Sequence, residues 1–399
     1  DANLYLLSKA KEGCNGATLS NIAQDLASYR RFLDEESLDP LHFPAHKLYR
    51  PTYRFRARLI ASAEAGELGW RTAQRRIRAV VGLYSWVLAN KNGEIAHPPY
   101  IDKLARISTT DRSGAVLVKE VKSSDLVISV SGEEDPNSEY ICDGGKLRPL
   151  AMHEQEELVR ALESLGNTEM TLCHLVALFS GGRIQTVLTL RKHLFDASVP
   201  DGAAEVRMPT GPKYGVDTKF SKANVLYIPS WLYQRVQAYL FCDRYKKRQG
   251  KAVSDLDKTL VFLTRSGAPM YDCKRKRGDV EVDGQIRYHR EGAVVRMFIR
   301  NYVIPRVRQT IPDFSYRFHD LRATFGTNLS DAQNKLIGEG RVSFSQALQY
   351  VQARLGHSSP RTTELYLDYR KRLDRIRNIQ SNFESELQRL AKLSQSVPE

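Results

Sequence analysis

Side chains able to act on a phosphate diester are grouped towards the carboxyl end of the chain. The motif Tyr316–Arg322 places His319 and Arg322 three residues apart, and on a helix this spacing puts both on one face. A second motif places His357 in a Gly-His-Ser-Ser-Pro break and Tyr366 nine residues later, within the next predicted helix. A guanidinium, two imidazoles and a phenol brought together can hold a phosphate diester and attack it.

The combined pattern resembles the carboxy-terminal signature of the tyrosine recombinases, the phage-integrase-like family. In that family a His-x-x-Arg box is followed by Leu-Gly-His and, nine residues beyond this His, by the nucleophilic Tyr. Here Leu355-Gly356-His357 and Tyr366 match as written, and the resemblance covers roughly Leu147 to the end. It implies a mainly α fold with a small β-sheet (α+β): an N-terminal helical core-binding domain and a C-terminal tyrosine-recombinase catalytic domain.

The family's first active-site arginine follows a glycine break and opens a helix. Arg183 has this setting, because it follows Ser180-Gly181-Gly182 and precedes a predicted helix. The amide groups of that helix and Arg183 are expected to face the same anion. The family often has Glu three residues after this arginine, whereas this chain has Thr186. This departure predicts a different support for the arginine.

The family also carries a mobile catalytic lysine on a β-hairpin, and residues 205–229 are predicted to form such a hairpin. Three lysines compete for the role: Lys213, Lys219 and Lys222. In the family the lysine lies about eight residues before the Ile/Val-Pro that closes the second strand. Lys219 fits that spacing best, Lys222 next and Lys213 least well, so Lys219 is the preferred candidate and the choice stays open.

The resemblance implies a role for each matched residue. Tyr366 attacks phosphorus and leaves a 3′-phosphotyrosyl bond, while His319 helps the phenol, whose ordinary pKa is about 10, to lose its proton. Arg183 and Arg322 each offer a bidentate fork to the phosphate oxygens, with His357 as a further donor. Lys219 protonates the departing 5′-oxygen. Neither ATP nor a metal ion is required, and no cofactor is expected.

The composition favours a nucleic-acid partner. The chain has 60 Lys and Arg against 46 Asp and Glu, a net charge of +14, and an isoelectric point near 9.5. Such a charge on a cytoplasmic protein indicates a polyanion, most commonly nucleic acid. The mean hydropathy of −0.43 predicts a soluble protein, and the sequence shows neither a membrane-spanning run nor a secretory signal at its start.

The cysteine pattern gives no sign of a metal site or a disulfide framework. The five cysteines are odd in number and lack zinc-ligand spacing; they are Cys14, Cys142, Cys173, Cys242 and Cys273. We therefore expect a reducing cytoplasm, with the protein associated with the nucleoid.

Periodicity predicts four regions along the chain. Residues 1–97 form a helical core-DNA-binding domain with helices at 18–35, 53–65 and 72–90, the first with an apolar stripe of Ile22, Leu26, Tyr29 and Phe32. Residues 98–148 form a linker with strand character, with strands predicted at 116–118 and 126–130. Residues 149–369 form the catalytic domain, and 370–399 a charged amphipathic helix. Within the catalytic domain we expect helices at 231–248 and 292–307, a short buried strand at 261–263 and a long helix connection at 330–340. In the family the C-terminal tail packs on a neighbouring protomer, which implies a homo-tetramer on synapsed DNA with the C-terminal helix exchanged between protomers. Packing of this helix on its own protomer is the alternative.

Two basic surfaces are candidate contacts to double-stranded DNA. The predicted 72–90 helix directs Arg75, Arg76 and Arg78 outward, and the resemblance implies that this domain clamps the duplex opposite the catalytic domain. The second is the run Lys274, Arg275, Lys276 and Arg277. This run either contacts phosphates or forms a solvated loop, and the sequence favours neither.

The sequence predicts a site-specific recombinase or integrase that works through a phosphotyrosyl intermediate and a Holliday junction, for a mobile element. Two alternatives remain at this stage. One is a type IB topoisomerase-like relaxing enzyme with the same chemistry, and the other is a catalytically idle DNA-binding or architectural protein with the same fold. Tyr369, one helical turn beyond Tyr366, is the rival nucleophile.

Overall fold

The backbone forms two compact units, each with its own hydrophobic core. The computed structural model describes residues 1–14, 16–90, 95–110, 116–129, 140–273 and 290–373, together with Glu384 and Leu387. The units are Asp1–Glu133 and Glu134–Glu399. Residues 98–148, predicted to form a linker, contribute to both cores. Within the described ranges, no helix is both long enough and apolar enough to cross a membrane.

The first unit is built on helices α1–α4. They are α1 (Ala2–Lys11), α2 (Gly16–Glu35), α3 (Pro51–Glu64) and α4 (Trp70–Asn90). The apolar stripe predicted for 18–35 is confirmed, since Leu26, Tyr29 and Phe32 are buried. Tyr29 and Tyr84 join α2 to α4 through a buried bond of 3.0 Å between their hydroxyls. This unit therefore matches the helical bundle that periodicity predicts.

An antiparallel ladder follows these helices in the first unit. Strand β1 (Asp102–Thr110) pairs with β2 (Val116–Ser124), from Asp102 opposite Ser124 to Thr110 opposite Val116. The strand predicted at 116–118 is thus confirmed. The second predicted strand, at 126–130, is wrong for the described residues 126–129, which lie outside regular structure. Leu126 and Ile128 instead pack into the helical core.

The second unit surrounds the buried helix α6. Its elements are β3 (Ile141–Cys142), β4 (Lys146–Leu147), α5 (Met152–Ser164), α6 (Thr168–Ser180), α7 (Ile184–Leu188), β5 (Glu205–Thr210), β6 (Asn224–Pro229), α8 (Ser230–Phe241), α9 (Asp243–Gln249), α10 (Ala293–Phe298), α11 (Ile304–Val307), α12 (Asp320–Gly338), α13 (Phe344–Leu355) and α14 (Pro360–Leu367). Strands β5 and β6 form the predicted hairpin. The described part of the unit is mainly helical with two-stranded sheets, which confirms the predicted α+β class.

Helix α6 is fixed in place by α12 and α9. Almost all of its residues are buried, and α12 packs directly against it. Its buried Glu169 accepts two hydrogen bonds from Arg244, at 2.8 and 2.7 Å, and an ion pair from Arg248 at 2.9 Å. Because these bonds compensate the charge of a fully buried carboxylate, α9 is fixed to the start of α6.

Other elements depart from the sequence prediction. The helix expected from Trp231 to Arg248 breaks at Cys242, whose ψ of 155° is extended. Residues 330–340, expected to form a connection, mostly continue α12, which ends at Gly338. The strand predicted at 261–263 is wrong, because this buried segment makes only isolated bridges at its ends, Arg191 with Leu260 and Leu263 with Pro269.

The helix predicted over 292–307 is interrupted by a π-helical turn. Residues Ile299–Val303 are π-helical, and the N–H of Ile304 donates to the carbonyl of Ile299. Pro305 follows at once, and it has no N–H to continue the regular α-helical bonding. The proline therefore accounts for the interruption between α10 and α11.

Candidate active site

The start of α12 fixes the first motif. The carboxylate of Asp320 accepts the backbone N–H of Arg317 at 2.7 Å and that of Arg148 at 3.1 Å. These bonds tie the first residue of α12 to the segment before the helix and to Arg148. They fix the start of α12, so that His319 lies immediately before the helix and Arg322 lies in its first turn.

Arg322 lies at the centre of the site and is 2% exposed. Its Nη1 donates to the carbonyl of Gly181 at 2.9 Å and its Nη2 to the carbonyl of Leu355 at 2.8 Å. Its Nε donates to Oδ2 of Asp143 at 2.8 Å. Gly181 has φ +68°, and a Cβ there would lie 2.6 Å from the ring of Phe325. The glycine break predicted before Arg183 thus ends α6, and the carbonyl of the capping residue Gly181 meets Arg322.

The second motif begins where α13 ends. Gly356 has φ +63°, and a Cβ there would lie 2.8 Å from Oδ1 of Asn224, so the turn requires glycine. The next residue, His357, is bound through both ring nitrogens: Nε2 lies 3.1 Å from Oδ2 of Asp143, and Nδ1 lies 2.9 Å from Oγ1 of Thr363. Because the carboxylate only accepts, these partners assign the proton to Nε2.

Tyr366 is 1% exposed and its hydroxyl donates to Oδ2 of Asp143 at 3.2 Å. Its ring lies directly on α12, because a Cβ added to Gly326 would be 2.4 Å from its Cε1. Burial raises the pKa of the phenol well above its ordinary value, and the charge of Asp143 raises it further. The phenol is therefore protonated in this arrangement.

Arg183 and His319 complete the group around Asp143. Nη2 of Arg183 lies 3.7 Å from Oδ1 of Asp143. His319 hydrogen-bonds to the backbone of the same residue, and burial, reinforced by the charge of Arg322, lowers its pKa to about 4. The ring is consequently neutral near pH 7 and can accept a proton.

The loop between β5 and β6 brings lysines to the same place. Thr186, on α7, donates through its hydroxyl to the carbonyl of Asp217 at 2.9 Å. The Nζ of Lys219 would lie 3.1 Å from a Cβ added to Gly144. Phe220 next to it is left-handed, with φ +58°, a conformation that costs energy in a non-glycine residue and recurs at functional sites.

A cavity of about 270 Å³ opens between these segments. Arg183, Arg322 and His357 line it together with Asp143, and so do Lys219 and Lys222. Lys213 is not among its lining residues in the described part of the chain. The same described residues include no group of three or more His, Cys, Asp or Glu side chains that could hold a metal ion.

The chain matches no family model and no curated protein. Several solved structures are nevertheless similar to it. A post-cleavage complex of the XerH site-specific recombinase with a palindromic difH substrate has a TM-score of 0.53 at 14% identity, over 92% of this chain and 80% of that chain. The Tn1549 transposon integrase with circular intermediate DNA has a TM-score of 0.51 at 14% identity, over 92% and 94%. The lambda integrase dimer on a COC′ core site has a TM-score of 0.50 at 14% identity, over 92% and 94%. The chain has the tyrosine recombinase fold.

Within this tyrosine recombinase fold, residues distant in sequence meet around one residue, Asp143, four of them at its carboxylate and His319 at its backbone. They are the residues singled out from the sequence as candidates: Arg183, His319, Arg322, His357 and Tyr366. The side chain of Tyr369 is also buried, in the same hydrophobic cluster as Tyr366. Its ring faces the guanidinium groups of Arg370 and Arg372, at 6.0 and 5.8 Å.

The sequence motifs do not include Asp143 or Thr363 as site residues. Asp143 stands before Gly144-Gly145 in a segment that the sequence marks only as a turn, and nothing local distinguishes it from other turn residues. Its carboxylate lies next to the arginines of a tyrosine recombinase fold that has Thr186 where the family often has Glu. Thr363 could have been noticed, because it lies six residues after His357 within the second motif.

The predicted DNA-binding residues have mixed environments. Arg75 is half-exposed and forms an ion pair of 2.9 Å with the buried Asp25. Arg78 is exposed, whereas Arg76 is half-buried. The run Lys274–Arg277 lies outside the described residues, and so does the C-terminal segment after residue 373, apart from Glu384 and Leu387.

Proposed function

We propose that the chain is a site-specific DNA recombinase or integrase that cuts and rejoins DNA through a covalent 3′-phosphotyrosyl intermediate. The observation that carries the proposal is the set of donors around Asp143. Two guanidinium groups, an imidazole N–H and a phenol O–H converge on one negatively charged group. A DNA phosphate presents similar oxygen acceptors and the same charge, and such donors stabilise it as charge builds up on its oxygens.

In the proposed reaction the oxygen of Tyr366 attacks phosphorus. The phenol proton passes to His319, the O–P bond to tyrosine forms, and the bond from phosphorus to the 5′-oxygen breaks. Lys219 gives that oxygen a proton. Arg183, Arg322 and His357 hold the non-bridging oxygens during the attack. Because the phosphotyrosyl bond conserves the energy of the diester, a second 5′-hydroxyl can reverse the step without ATP.

The state of His319 supports its role as the base. A pKa lowered to about 4 keeps the imidazole neutral, so it can take a proton at neutral pH. For Arg322, however, each Nη atom already donates one of its two N–H groups to a backbone carbonyl, which fixes the orientation of the guanidinium. We therefore propose that Arg322 meets the phosphate through Nε, the atom that now meets Asp143, and that Arg183 supplies the freer guanidinium.

The proposed partner is double-stranded DNA. It is supported by the net charge of +14, by the exposed Arg78 on α4, and by the DNA present in each of the three solved relatives. We further propose that four protomers act on synapsed DNA through a Holliday junction, in the service of a mobile element. Exchange of the C-terminal helix between protomers belongs to the same proposal and concerns residues outside the described ranges.

A nicked suicide DNA substrate tests the proposal. The substrate is built from the ends of the element that carries the gene, and the reaction is run in EDTA. We expect a protein–DNA adduct that survives SDS, with Tyr366→Phe abolishing the adduct while DNA binding persists. Tyr369→Phe is the matched control, because its ring is buried in the same cluster, and it should keep the adduct.

The alternatives give different results. An architectural protein binds the same DNA without forming an adduct in any variant. A topoisomerase-like enzyme relaxes supercoiled plasmid through the same adduct but joins no new partners. An adduct kept by Tyr366→Phe and lost by Tyr369→Phe refutes the assignment of the nucleophile.

A further inference from the structure

The carboxylate of Asp143 lies where the proposed function requires the DNA phosphate. Its Oδ2 accepts from Nε of Arg322 at 2.8 Å, from Nε2 of His357 at 3.1 Å and from the hydroxyl of Tyr366 at 3.2 Å. Its Oδ1 lies 3.7 Å from Nη2 of Arg183. Every one of these donors belongs to the group proposed to bind or attack the phosphate.

We propose that Asp143 is an internal anion that occupies the phosphate site in cis, and that its carboxylate must leave before a phosphodiester can bind. The inference rests on the proposed function and adds a regulatory step to the same site. Asp143 would thereby keep the nucleophile inactive until DNA displaces it.

The two anions exclude each other for electrostatic and geometric reasons. Asp143 is 6% exposed, and like charges in contact repel strongly where water is largely excluded. The direct donors are also already used, because three of them share the single atom Oδ2. A phosphate oxygen can reach Nε of Arg322 and Nε2 of His357 only in place of that atom.

The bond to Tyr366 distinguishes an inhibitory carboxylate from a helpful one. The phenol donates its hydrogen to Asp143. Although burial acts in the opposite direction, hydrogen bonds and charges from His357 and Arg322 hold the pKa of Asp143 well below its ordinary value, so the proton is directed at a poor acceptor and away from His319. The negative charge also raises the pKa of the phenol, in addition to the larger effect of burial. A carboxylate with so low a pKa is a poor general base at neutral pH, so its bond to the phenol does not assist the attack.

The hairpin that carries Asp143 is anchored at its stem and has two glycines at its tip. Ile141 and Leu147 pair across β3 and β4, and both are buried in the cluster that contains Tyr366. At the tip, Gly144 has φ +72° and Gly145 has nothing within 4 Å of an added Cβ. The carboxylate can therefore leave by a change at the tip while the stem stays packed.

Binding of inorganic phosphate to the full chain tests the inference without requiring recombination. We compare Asp143→Asn and Asp143→Ala with the parent by calorimetry at constant ionic strength. Both variants should bind phosphate at least about tenfold more tightly, which corresponds to about 1.4 kcal/mol. Asp201→Asn is the control for net charge, because Asp201 is exposed and does not line the cavity; it should bind like the parent.

Two further measurements keep the test decisive. Asp143→Ala removes the partner of a buried arginine and can destabilise the fold, so Asp143→Asn retains an acceptor of the same shape. For each protein, the rise of the unfolding midpoint with phosphate is also measured, since a ligand that binds only the folded state raises it. A larger rise in Asp143→Asn than in the parent supports the inference even if the variant starts from a lower midpoint.

The outcome separates this inference from the proposed function. Equal or weaker phosphate binding by both Asp143 variants overturns it and identifies Asp143 as a permanent support of the arginines. If the parent forms the adduct and Asp143→Asn forms it more slowly, the inference fails while the recombinase proposal stands. If phosphate binding tightens but no protein forms an adduct, the inference holds as a property of the anion site and the recombinase proposal fails.

Discussion

Replacing Gly326 by alanine tests where the ring of Tyr366 lies. Gly326 is inside α12, and an added Cβ would be 2.4 Å from Cε1 and 2.5 Å from Cδ1 of Tyr366. Ordinary contact begins near 3.4 Å, so the ring must move by about 1 Å or the helices must separate. Overpacking of this kind costs about 1–3 kcal/mol.

The helix propensity of alanine has the opposite effect on the stability of the variant. Alanine is more favourable than glycine within a helix by about 1 kcal/mol, so Gly326→Ala should change the free energy of unfolding by between about 0 and −2 kcal/mol. Gly338→Ala is the matched control, because Gly338 ends the same helix and an added Cβ there has nothing within 4 Å. It should stabilise by up to about 1 kcal/mol.

Chemical denaturation of the full chain, followed by circular dichroism, measures both variants. We expect Gly326→Ala to be less stable than Gly338→Ala by about 1–3 kcal/mol. In the suicide-substrate assay we expect Gly326→Ala to form the adduct about 100-fold more slowly, since a displacement of about 1 Å at a reacting group has that effect. Equal stability of the two variants refutes the packing of Tyr366 on α12, whatever the protein's activity.

Two further predictions concern Lys219 and His174. Lys219→Ala should slow cleavage of ordinary DNA by about 10²–10⁴-fold, the usual contribution of a general acid. It should have little effect on a substrate with a 5′-thiol leaving group. Lys222→Ala and Lys213→Ala are the controls, and a defect confined to either one reassigns the general acid to that lysine. His174 is buried, its Nδ1 donates to the carbonyl of Met170 at 2.6 Å, and burial lowers its pKa to about 4. Between pH 6.5 and 4 the unfolded chain binds a proton on His174 that the folded chain does not bind. The folding stability present above pH 6.5 is therefore lost as the pH falls towards 4, and His174 contributes about 2 kcal/mol of this loss between pH 7.5 and 5. Unfolding titrations should show a smaller loss for His174→Gln, and an unchanged loss contradicts the assignment.

Local sequence was sufficient where spacing and chain breaks carry the information. The apolar repeat of α2 and α4 predicts their buried faces because a helix repeats every 3.6 residues. Likewise Gly181 and Gly356 mark helix ends, and both adopt the left-handed conformation that glycine tolerates. The spacing from His357 to Tyr366 likewise predicts Tyr366 in the helix that follows the break, and Tyr366 lies in α14.

Local sequence was insufficient where a contact between distant segments decides the backbone conformation. The region from Trp231 to Arg248 has a continuous helical period, yet the chain breaks at Cys242. Through Arg244 and Arg248, α9 instead meets the buried Glu169 on α6. An ion pair with a residue far along the chain outweighs helix propensity here, since propensity contributes only tenths of a kcal/mol for most residues.

The sequence by itself determined that a guanidinium pair, two imidazoles and a phenol occur in the order and spacing of a tyrosine recombinase. Only the tertiary structure decided what holds them together. Asp143 lies 179 positions from Arg322 and 223 from Tyr366 along the chain, and its own surroundings in sequence are those of a turn. The physical reason is that a carboxylate acquires its role from the donors that folding brings around it, and those donors come from separate segments that no local pattern connects.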